Sequence, residues 1–147
     1  MAKITVTTSA DLSQIQEWIN ADPYHKDDPR CTAEGLLTGK GALTFCLGDD
    51  EGPLCFVRLD VEGEFLRLST QFGPEPEISK SRLVSGLLSA GIPAITIFAK
   101  EGKYKGIIFE SKSPSLIKFM EKQGFFPISH DDYALIFEQL AQEQTHV

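Results

Sequence analysis

The stretch GIIFESKSPSLIKFMEKQGF, from Gly106 to Phe125, contains a strand, a helix with both ends marked, and the start of a second strand. The apolar run 107–109 is typical of a buried strand. Ser113 can cap the helix that follows, and Pro114 suits its first position because a missing N–H costs nothing there. Gly124 can end the helix in a left-handed turn. The face of this helix expected to be buried carries Leu116, Ile117, Phe119 and Met120.

Upstream of this stretch, the sequence predicts two helices and a three-strand meander. An alternating run at 3–7 predicts the first strand, and the helix that follows starts near Ala10 and ends at Asp22-Pro23. Its core-facing positions are Leu12, Ile15, Trp18 and Ile19. A short second helix is expected around 32–37. The strands of the meander are expected at 42–47, 54–59 and 65–72.

The segment IPAITIFAK, residues 92–100, fits either a helix or a strand. It follows a predicted helix over 78–90 and has a β-rich composition, but Pro93 near its start suits a first helical position. One helical face would carry Ile92, Ile95 and Phe98. We expect a helix here, with a strand as the alternative. A final strand is expected at 132–137, followed by a frayed tail from about residue 139.

The composition predicts a single domain spanning residues 1–147, with 41% hydrophobic and 24% charged residues. No apolar run approaches membrane-spanning length, and the N-terminus lacks the apolar core of a signal peptide, so no membrane association is expected. The cysteines are odd in number and widely spaced, which argues against a disulfide framework or a zinc site. We therefore expect a cytoplasmic protein without a metal. Its cysteines are Cys31, Cys46 and Cys55.

The net charge of −7 disfavours nucleic-acid binding, but the charge is distributed unevenly. Six lysines lie between Lys100 and Lys122, against three glutamates. The interpretation we favour is a solvated helix face with its flanking loops. The alternative is a local site for an anionic ligand such as a phosphate.

The order of the predicted elements, over residues 3–138, resembles the GNAT acetyltransferase superfamily, and the residues of 106–125 carry the closest resemblance. That superfamily typically ends with a strand, an Asn that opens a helix, an aliphatic–Tyr pair, a Lys and a Gly-Phe. Here Ser113 stands at the Asn position, and Phe119-Met120 stands at the aliphatic–Tyr pair. The matching positions are Lys122, Gly124 and Phe125. The resemblance implies an α/β (α+β) fold with a mixed, mostly antiparallel central sheet flanked by helices.

The chain departs from the family pattern at two places that matter for chemistry. The family binds coenzyme A with a Gln/Arg-x-x-Gly-x-Gly/Ala loop, whose glycines let backbone N–H groups approach the pyrophosphate. Here the sequence SKSR, residues 79–82, occupies that region without paired glycines. Met120 stands where the family often has a Tyr that acts as general acid, and a thioether cannot donate a proton.

The resemblance implies that acetyl-CoA, or another acyl-CoA, lies along the end of the fourth strand, with its pyrophosphate near the next helix. The residues expected to bind it are Ser69, Thr70, Gln71, Phe72, Ser79, Lys80, Ser81, Arg82 and Ser113. The catalytic candidates are Glu110, Ser111 and Glu64. Glu110 has the best position, because the fourth and fifth strands splay apart in this fold. The alternative for 79–82 is a capped helix start with exposed basic residues, and for Ser113 it is the N-cap alone.

Two functions follow from the resemblance. The first is a divergent GNAT-like N-acyltransferase that acylates a small-molecule or peptide amine, and the acidic surface weakly favours a cationic acceptor. The second is a GNAT-fold binding or regulatory module that has lost catalysis. The sequence does not identify the acceptor, and a homodimer is left open. A loop between 23 and 30, with Tyr24 and His25, is the candidate contact for the acceptor.

Overall fold

The computed structural model describes residues 1–23, 26–29, 31–37, 43–73 and 79–137. In these residues seven strands form one sheet. The strands are β1 (Lys3–Val6), β2 (Leu43–Asp49), β3 (Gly52–Glu62), β4 (Phe65–Phe72), β5 (Gly106–Glu110), β6 (Phe126–Ser129) and β7 (Asp132–Ile136). The helices are α1 (Leu12–Ala21), α2 (Ala33–Leu37), α3 (Lys80–Gly86), α4 (Ile92–Glu101) and α5 (Pro114–Glu121).

The sheet is mixed and mostly antiparallel, with the order β1-β2-β3-β4-β5-β7-β6. Strands β2 to β4 form the predicted three-strand antiparallel meander, β1 pairs antiparallel with β2, and β5 pairs with β4 in parallel. Parallel neighbours need a crossover connection, and the helices α3 and α4 supply it. The predicted fold class is confirmed.

Helices cover the sheet on both faces, and the alternation of β3 separates the two layers. Phe56 is fully buried and packs on Trp18 of α1, with the ring centroids 5.3 Å apart. Val57 and Leu59 point to the other face, where α4 contributes Ile95 to the same apolar layer. A single sheet therefore carries a core on each side.

The helices α3 and α4 form one continuous helix from Lys80 to Glu101, because a π turn at Leu87–Gly91 joins them. At its end the N–H of Ile92 donates to the carbonyl of Leu87, five residues back. The segment 92–100 is helical, which confirms the favoured interpretation. The helices expected over 78–90 and 92–100 are therefore continuous, because the wider turn lets the chain pass Pro93, which lacks an N–H, without ending the helix.

This long helix also bears on the expectation that no segment could span a membrane. It has 22 residues, with a mean hydropathy of 1.6 in its most apolar window. By length and composition alone it could cross a bilayer, a test that core helices of soluble proteins also pass. Here one face of the helix lies on the sheet, since a Cβ on Gly86 would stand 2.6 Å from Leu54.

The ends of α5 are those that the sequence predicts. The Ser113 hydroxyl accepts a hydrogen bond from the N–H of Leu116, and Pro114 occupies the first turn. Gly124 has a φ of 101°, in the left-handed region, and the next N–H, that of Phe125, returns to the carbonyl of Met120. The final strand expected at 132–137 is β7, and the strand expected to start at the end of the 106–125 stretch is β6, which pairs with β7 as a hairpin.

An ion pair clamps the sheet across β5. Arg67 on β4 donates two hydrogen bonds to the carboxylate of Asp132 on β7, both 3.0 Å long, and β5 lies between these strands. Its Nε also donates to Glu62, over 2.7 Å. The hydrogen bonds from Arg67 lower the pKa of Asp132 below its ordinary value of 3.8.

We expect Asp132→Asn to lower the free energy of unfolding at pH 7 by about 1–3 kcal/mol, because the substitution removes a charged, bidentate hydrogen-bond acceptor. A depressed pKa stabilises the folded state above the unfolded pKa, and that stability is lost as the pH falls through the folded pKa. The difference between wild type and variant should therefore shrink below about pH 3.8. Urea unfolding at a series of pH values measures it. Asp27→Asn, which changes an exposed carboxylate, is the control, and a gap that does not shrink at all as the pH falls below 3.8 would contradict the assignment.

Candidate active site

Strands β4 and β5 are paired along only part of their length. Four residue pairs are in register, from Phe65 opposite Gly106 to Leu68 opposite Phe109. Beyond that point β4 continues to Phe72, whereas β5 stays paired with β7 through Glu110. The two strands therefore diverge, and a wedge opens between them.

The edge of β4 that borders the wedge presents backbone groups to it. Gly73 donates its N–H to Leu54 on β3, whereas the carbonyl of Glu64 accepts from Lys105 on the β5 side. Because peptide groups alternate along a strand, those of Thr70 point away from β3 and into the wedge. In the described part of the chain no strand pairs with this edge beyond Leu68.

The wedge is part of a cleft of about 1200 Å³ that passes between the two layers of helices. Eight of the predicted site residues line it. They are Ser69, Thr70, Gln71, Phe72, Lys80, Glu110, Ser111 and Ser113. Residues from three separate stretches of the chain thus meet at the point where the strands part.

Four predicted site residues lie outside the lining of this cleft. Glu64 sits at the β3–β4 turn, where its carboxylate pairs with Lys105 at 3.0 Å. The Ser79 hydroxyl accepts from the N–H of Arg82 as a helix N-cap, and Ser81 is exposed beside it. The remaining one, Arg82, turns toward the β2–β3 hairpin.

Arg82 forms an ion pair that explains its position. Its guanidinium donates to both carboxylate oxygens of Asp49, at 2.8 and 2.6 Å, and lies 3.2 Å from Glu51. The pKa of Arg82 is raised by this pairing, and the hydrogen bond from Arg82 lowers the pKa of Asp49 to about 2. Arg82 therefore ties the long helix to the hairpin rather than pointing into the cleft.

The hydroxyl groups at the start of α5 form a short chain beside the wedge. The Ser113 N–H donates to the hydroxyl of Ser111, over 3.1 Å, and the hydroxyls of Ser113 and Ser115 are 3.2 Å apart. Ser111 is buried, and all three residues line the cleft. The N-cap interpretation of Ser113 is correct, and the same residue faces the cleft.

Gln71 and the C-terminus of α1 form the opposite wall. The Gln71 side chain is 2% exposed, and its amide donates to the Asp22 carboxylate at 3.1 Å and to the carbonyl of Phe72 at 3.0 Å. This contact fixes α1 against the part of β4 that extends beyond β5. Tyr24 and His25, which follow, lie outside the described residues.

Two charged residues on this wall and one at the start of α5 were not among the residues predicted for the site, whereas Asp22 was predicted to contact substrate together with Tyr24 and His25. Arg58 pairs with Asp60 over 2.9 and 3.1 Å and also donates to the carbonyl of Gly35. The missed residues are Arg58, Arg67 and Lys112. The arginines interrupt the apolar runs of β3 and β4, and this interruption could have identified them in the sequence. Lys112 belongs to the lysine-rich segment for which an anionic ligand was the alternative interpretation.

No model of a known protein family matches the sequence, and no curated protein matches it. Solved structures do match. A GNAT-family acetyltransferase from Staphylococcus aureus has a TM-score of 0.68 at 15% identity, covering 92% of this chain and 99% of that one. The ribosomal-protein-S18-alanine N-acetyltransferase from Escherichia coli has a TM-score of 0.62 at 15% identity, covering 92% and 91%.

A third similar structure contains ligands. The aminoglycoside acetyltransferase AAC(6')-Ib, in complex with ribostamycin and coenzyme A, has a TM-score of 0.67 at 14% identity, covering 99% of this chain and 98% of that one. At such identities the likeness shows the fold. The parallel β4–β5 pair that opens into a wedge, within a mostly antiparallel sheet, is consistent with it. The chain has the fold of the GNAT acetyltransferases.

Proposed function

We propose that this protein is a divergent GNAT-family N-acyltransferase that transfers an acyl group from coenzyme A to an amine. The observation that carries the proposal is the open wedge beyond Leu68 and Phe109, which has on one side an edge of β4 that no strand in the described residues joins, and on the other side a carboxylate and hydroxyls. A thioester between the strands would lie within reach of Glu110.

The pantetheine arm of coenzyme A would bind as an additional strand. Its amide groups can exchange hydrogen bonds with the wedge-facing peptide groups of Thr70, much as an extended peptide adds to an exposed sheet edge. The edge is four residues long, from Ser69 to Phe72. This length suits a short linear ligand.

The phosphates would bind at one end of the cleft, where two helices begin. The long helix starts after Ser79 and α5 starts after Ser113, and the N-terminus of a helix favours an anion. Lys80 and Lys112 both line the cleft beside these starts, and both are exposed. Backbone N–H groups and two lysines would then take the role that paired glycines have in the family.

In the transfer step, the amine nitrogen forms a bond to the thioester carbonyl carbon as the C–S bond breaks. The electron pair of that bond leaves with sulfur, which then takes up a proton, and the nitrogen loses one. Glu110 would accept the amine proton, directly or through water. Met120 has no proton to donate to the departing sulfur. The hydroxyls of Ser111 and Ser113 would instead donate hydrogen bonds that orient the departing thiol.

The acceptor would be an amine, and the cleft wall near α1 would hold it. The solved neighbours named above include enzymes named for alanine and aminoglycoside acceptors. On this chain the carboxylate of Asp22 lines that side of the cleft and favours a cationic group, whereas the carboxylate of Asp60 is paired with Arg58. A cytoplasmic location, a single domain and a homodimer stay predictions from the sequence.

Coenzyme A and acetyl-CoA should each raise the melting temperature, because a ligand that binds only the native state stabilises it by mass action. We expect Lys80→Ala combined with Lys112→Ala to weaken the affinity about tenfold at low salt, since each exposed lysine contributes about 0.2–1 kcal/mol. The difference should shrink in high salt. Calorimetric titration of both proteins measures the affinity.

The matched control is Lys118→Ala combined with Lys122→Ala, which removes the same charge from exposed positions outside the cleft lining. It should bind coenzyme A like the wild type. No melting shift with either ligand at large excess would count against the proposal. Binding without turnover of any amine would favour the alternative, a module that has lost catalysis.

A further inference from the structure

A second, apolar space lies beneath the sheet, separate from the cleft described above. It has a volume of about 190 Å³ and lies between β3 and β4 on one side and the long helix on the other, with α5 closing one end. An apolar cavity of about 150 Å³ stays dry and holds a benzene-sized molecule. This space can therefore hold a chain on the order of six carbons.

The cavity adjoins the place where the thioester would lie. The two spaces are adjacent, because five residues line both of them: Leu68, Thr70, Phe72, Leu87 and Leu116. Leu68 and Phe109, the last pair before β4 and β5 diverge, both line the cavity. Its wall therefore begins where the wedge begins.

The lining defines the chemistry of the occupant. None of the described residues that line the cavity carries a charge, and Thr70 supplies the one hydroxyl. Cys55 is fully buried there, and burial raises the pKa of its thiol, so it stays neutral. A free carboxylate would be left without a counter-charge in this space, whereas an alkyl chain would not.

The long helix and α5 both contribute to the lining of the cavity. The π turn of the long helix contributes Leu87 and Gly91 to the lining, and π turns occur often at functional sites. Met120, which stands where the family often has a Tyr, is buried in the same wall. An unfilled cavity of this size destabilises a protein, so an occupant would offset that cost.

We propose that this cavity receives the acyl chain of the donor, so that the preferred donor is an acyl-CoA with about four to eight carbons rather than acetyl-CoA. The proposal rests on the proposed function. The transfer step is unchanged: the C–N bond forms, the C–S bond breaks, and the alkyl chain stays in the cavity.

The test is the dissociation constant of coenzyme A and its acetyl, butanoyl, hexanoyl and decanoyl thioesters, measured by calorimetric titration. Affinity should rise about fourfold for each buried methylene and then stop rising once the cavity is full. Hexanoyl-CoA should bind at least about tenfold more tightly than acetyl-CoA. Sodium hexanoate alone distinguishes a free acid from the thioester, and equal affinity for it would overturn the assignment to the thioester.

Ala94→Phe fills the cavity from α4, at a residue that lines the cavity but not the cleft. It should remove the advantage of hexanoyl-CoA and leave the affinity for acetyl-CoA unchanged. Ser89→Phe adds the same ring to the exposed face of the same helix and should change neither. Ala94→Leu is the smaller alternative if Ala94→Phe does not fold.

The outcomes separate the two proposals. If coenzyme A and acetyl-CoA bind but longer chains add no affinity, the acyl-chain assignment is wrong and the proposed function stands. If Ala94→Phe folds and keeps the full gain for hexanoyl-CoA, the gain arises elsewhere and the assignment is also wrong. If no thioester and no coenzyme A bind, the proposed function is wrong and this inference falls with it.

Discussion

Glu110→Gln should lower kcat by about 10²–10⁴-fold while leaving the affinity for coenzyme A unchanged. General-base catalysis by a positioned side chain contributes about this much, and an amide cannot accept the proton. Glu110 ends β5, lines the cleft and lies opposite Asp132 in the register, just past the point where β4 leaves β5. The measurement is release of the coenzyme A thiol with the best acceptor from a panel of primary amines.

Glu64→Gln is the matched control for this prediction. The sequence offered both glutamates as candidate bases, but Glu64 pairs with Lys105 at the β3–β4 turn and does not line the cleft. We expect Glu64→Gln to keep the wild-type kcat. A variant Glu110→Gln with full activity would remove Glu110 from the mechanism, and a loss confined to Glu64→Gln would contradict the placement of the site at the wedge.

The parts of the fold that the sequence predicted are those set by local chemistry. Ser113 and Pro114 start α5 and Gly124 ends it, and each acts through bonds within a few residues of itself. The divergence of β4 from β5 was expected only through the resemblance to a family. The wedge itself follows from pairing between strands about 40 residues apart along the chain, a distance over which local propensity carries no information.

The parts that could not be predicted depend on partners far along the chain. Lys80 and Arg82 are two residues apart and looked equivalent as phosphate ligands. In the structure Lys80 lines the cleft, whereas Arg82 is bound by Asp49, 33 residues away. The apolar cavity is likewise invisible in sequence, since its lining reads as ordinary core. A cavity forms where side chains from distant parts of the chain fail to fill the space between them. The hydrophobic periodicity of a sequence predicts only which face of a helix or strand is buried, so it does not predict a cavity.

Gly106→Ala should destabilise the fold by about 4 kcal/mol or more, the range of exceptional single substitutions. A Cβ at this position would lie 2.2 Å from the carbonyl oxygen of Leu135 and 3.2 Å from the Cα of Ile136. Both atoms belong to the backbone of β7, so no change of rotamer relieves the clash. The strand would have to leave β7 or β4, and the pairing that creates the wedge depends on both.

Gly102→Ala separates this effect from the general cost of replacing a glycine. Its Cβ would also meet an atom at 2.6 Å, but that atom is on the ring of Tyr104, a half-buried side chain that can rotate. Urea unfolding should therefore show a small loss for Gly102→Ala and a large one for Gly106→Ala, together with loss of coenzyme A binding in the latter. Equal stabilities of the two variants would mean that β5 does not approach β7 as closely as described. The pairing of β5 with β7 would then not account for the position of β5 at the wedge.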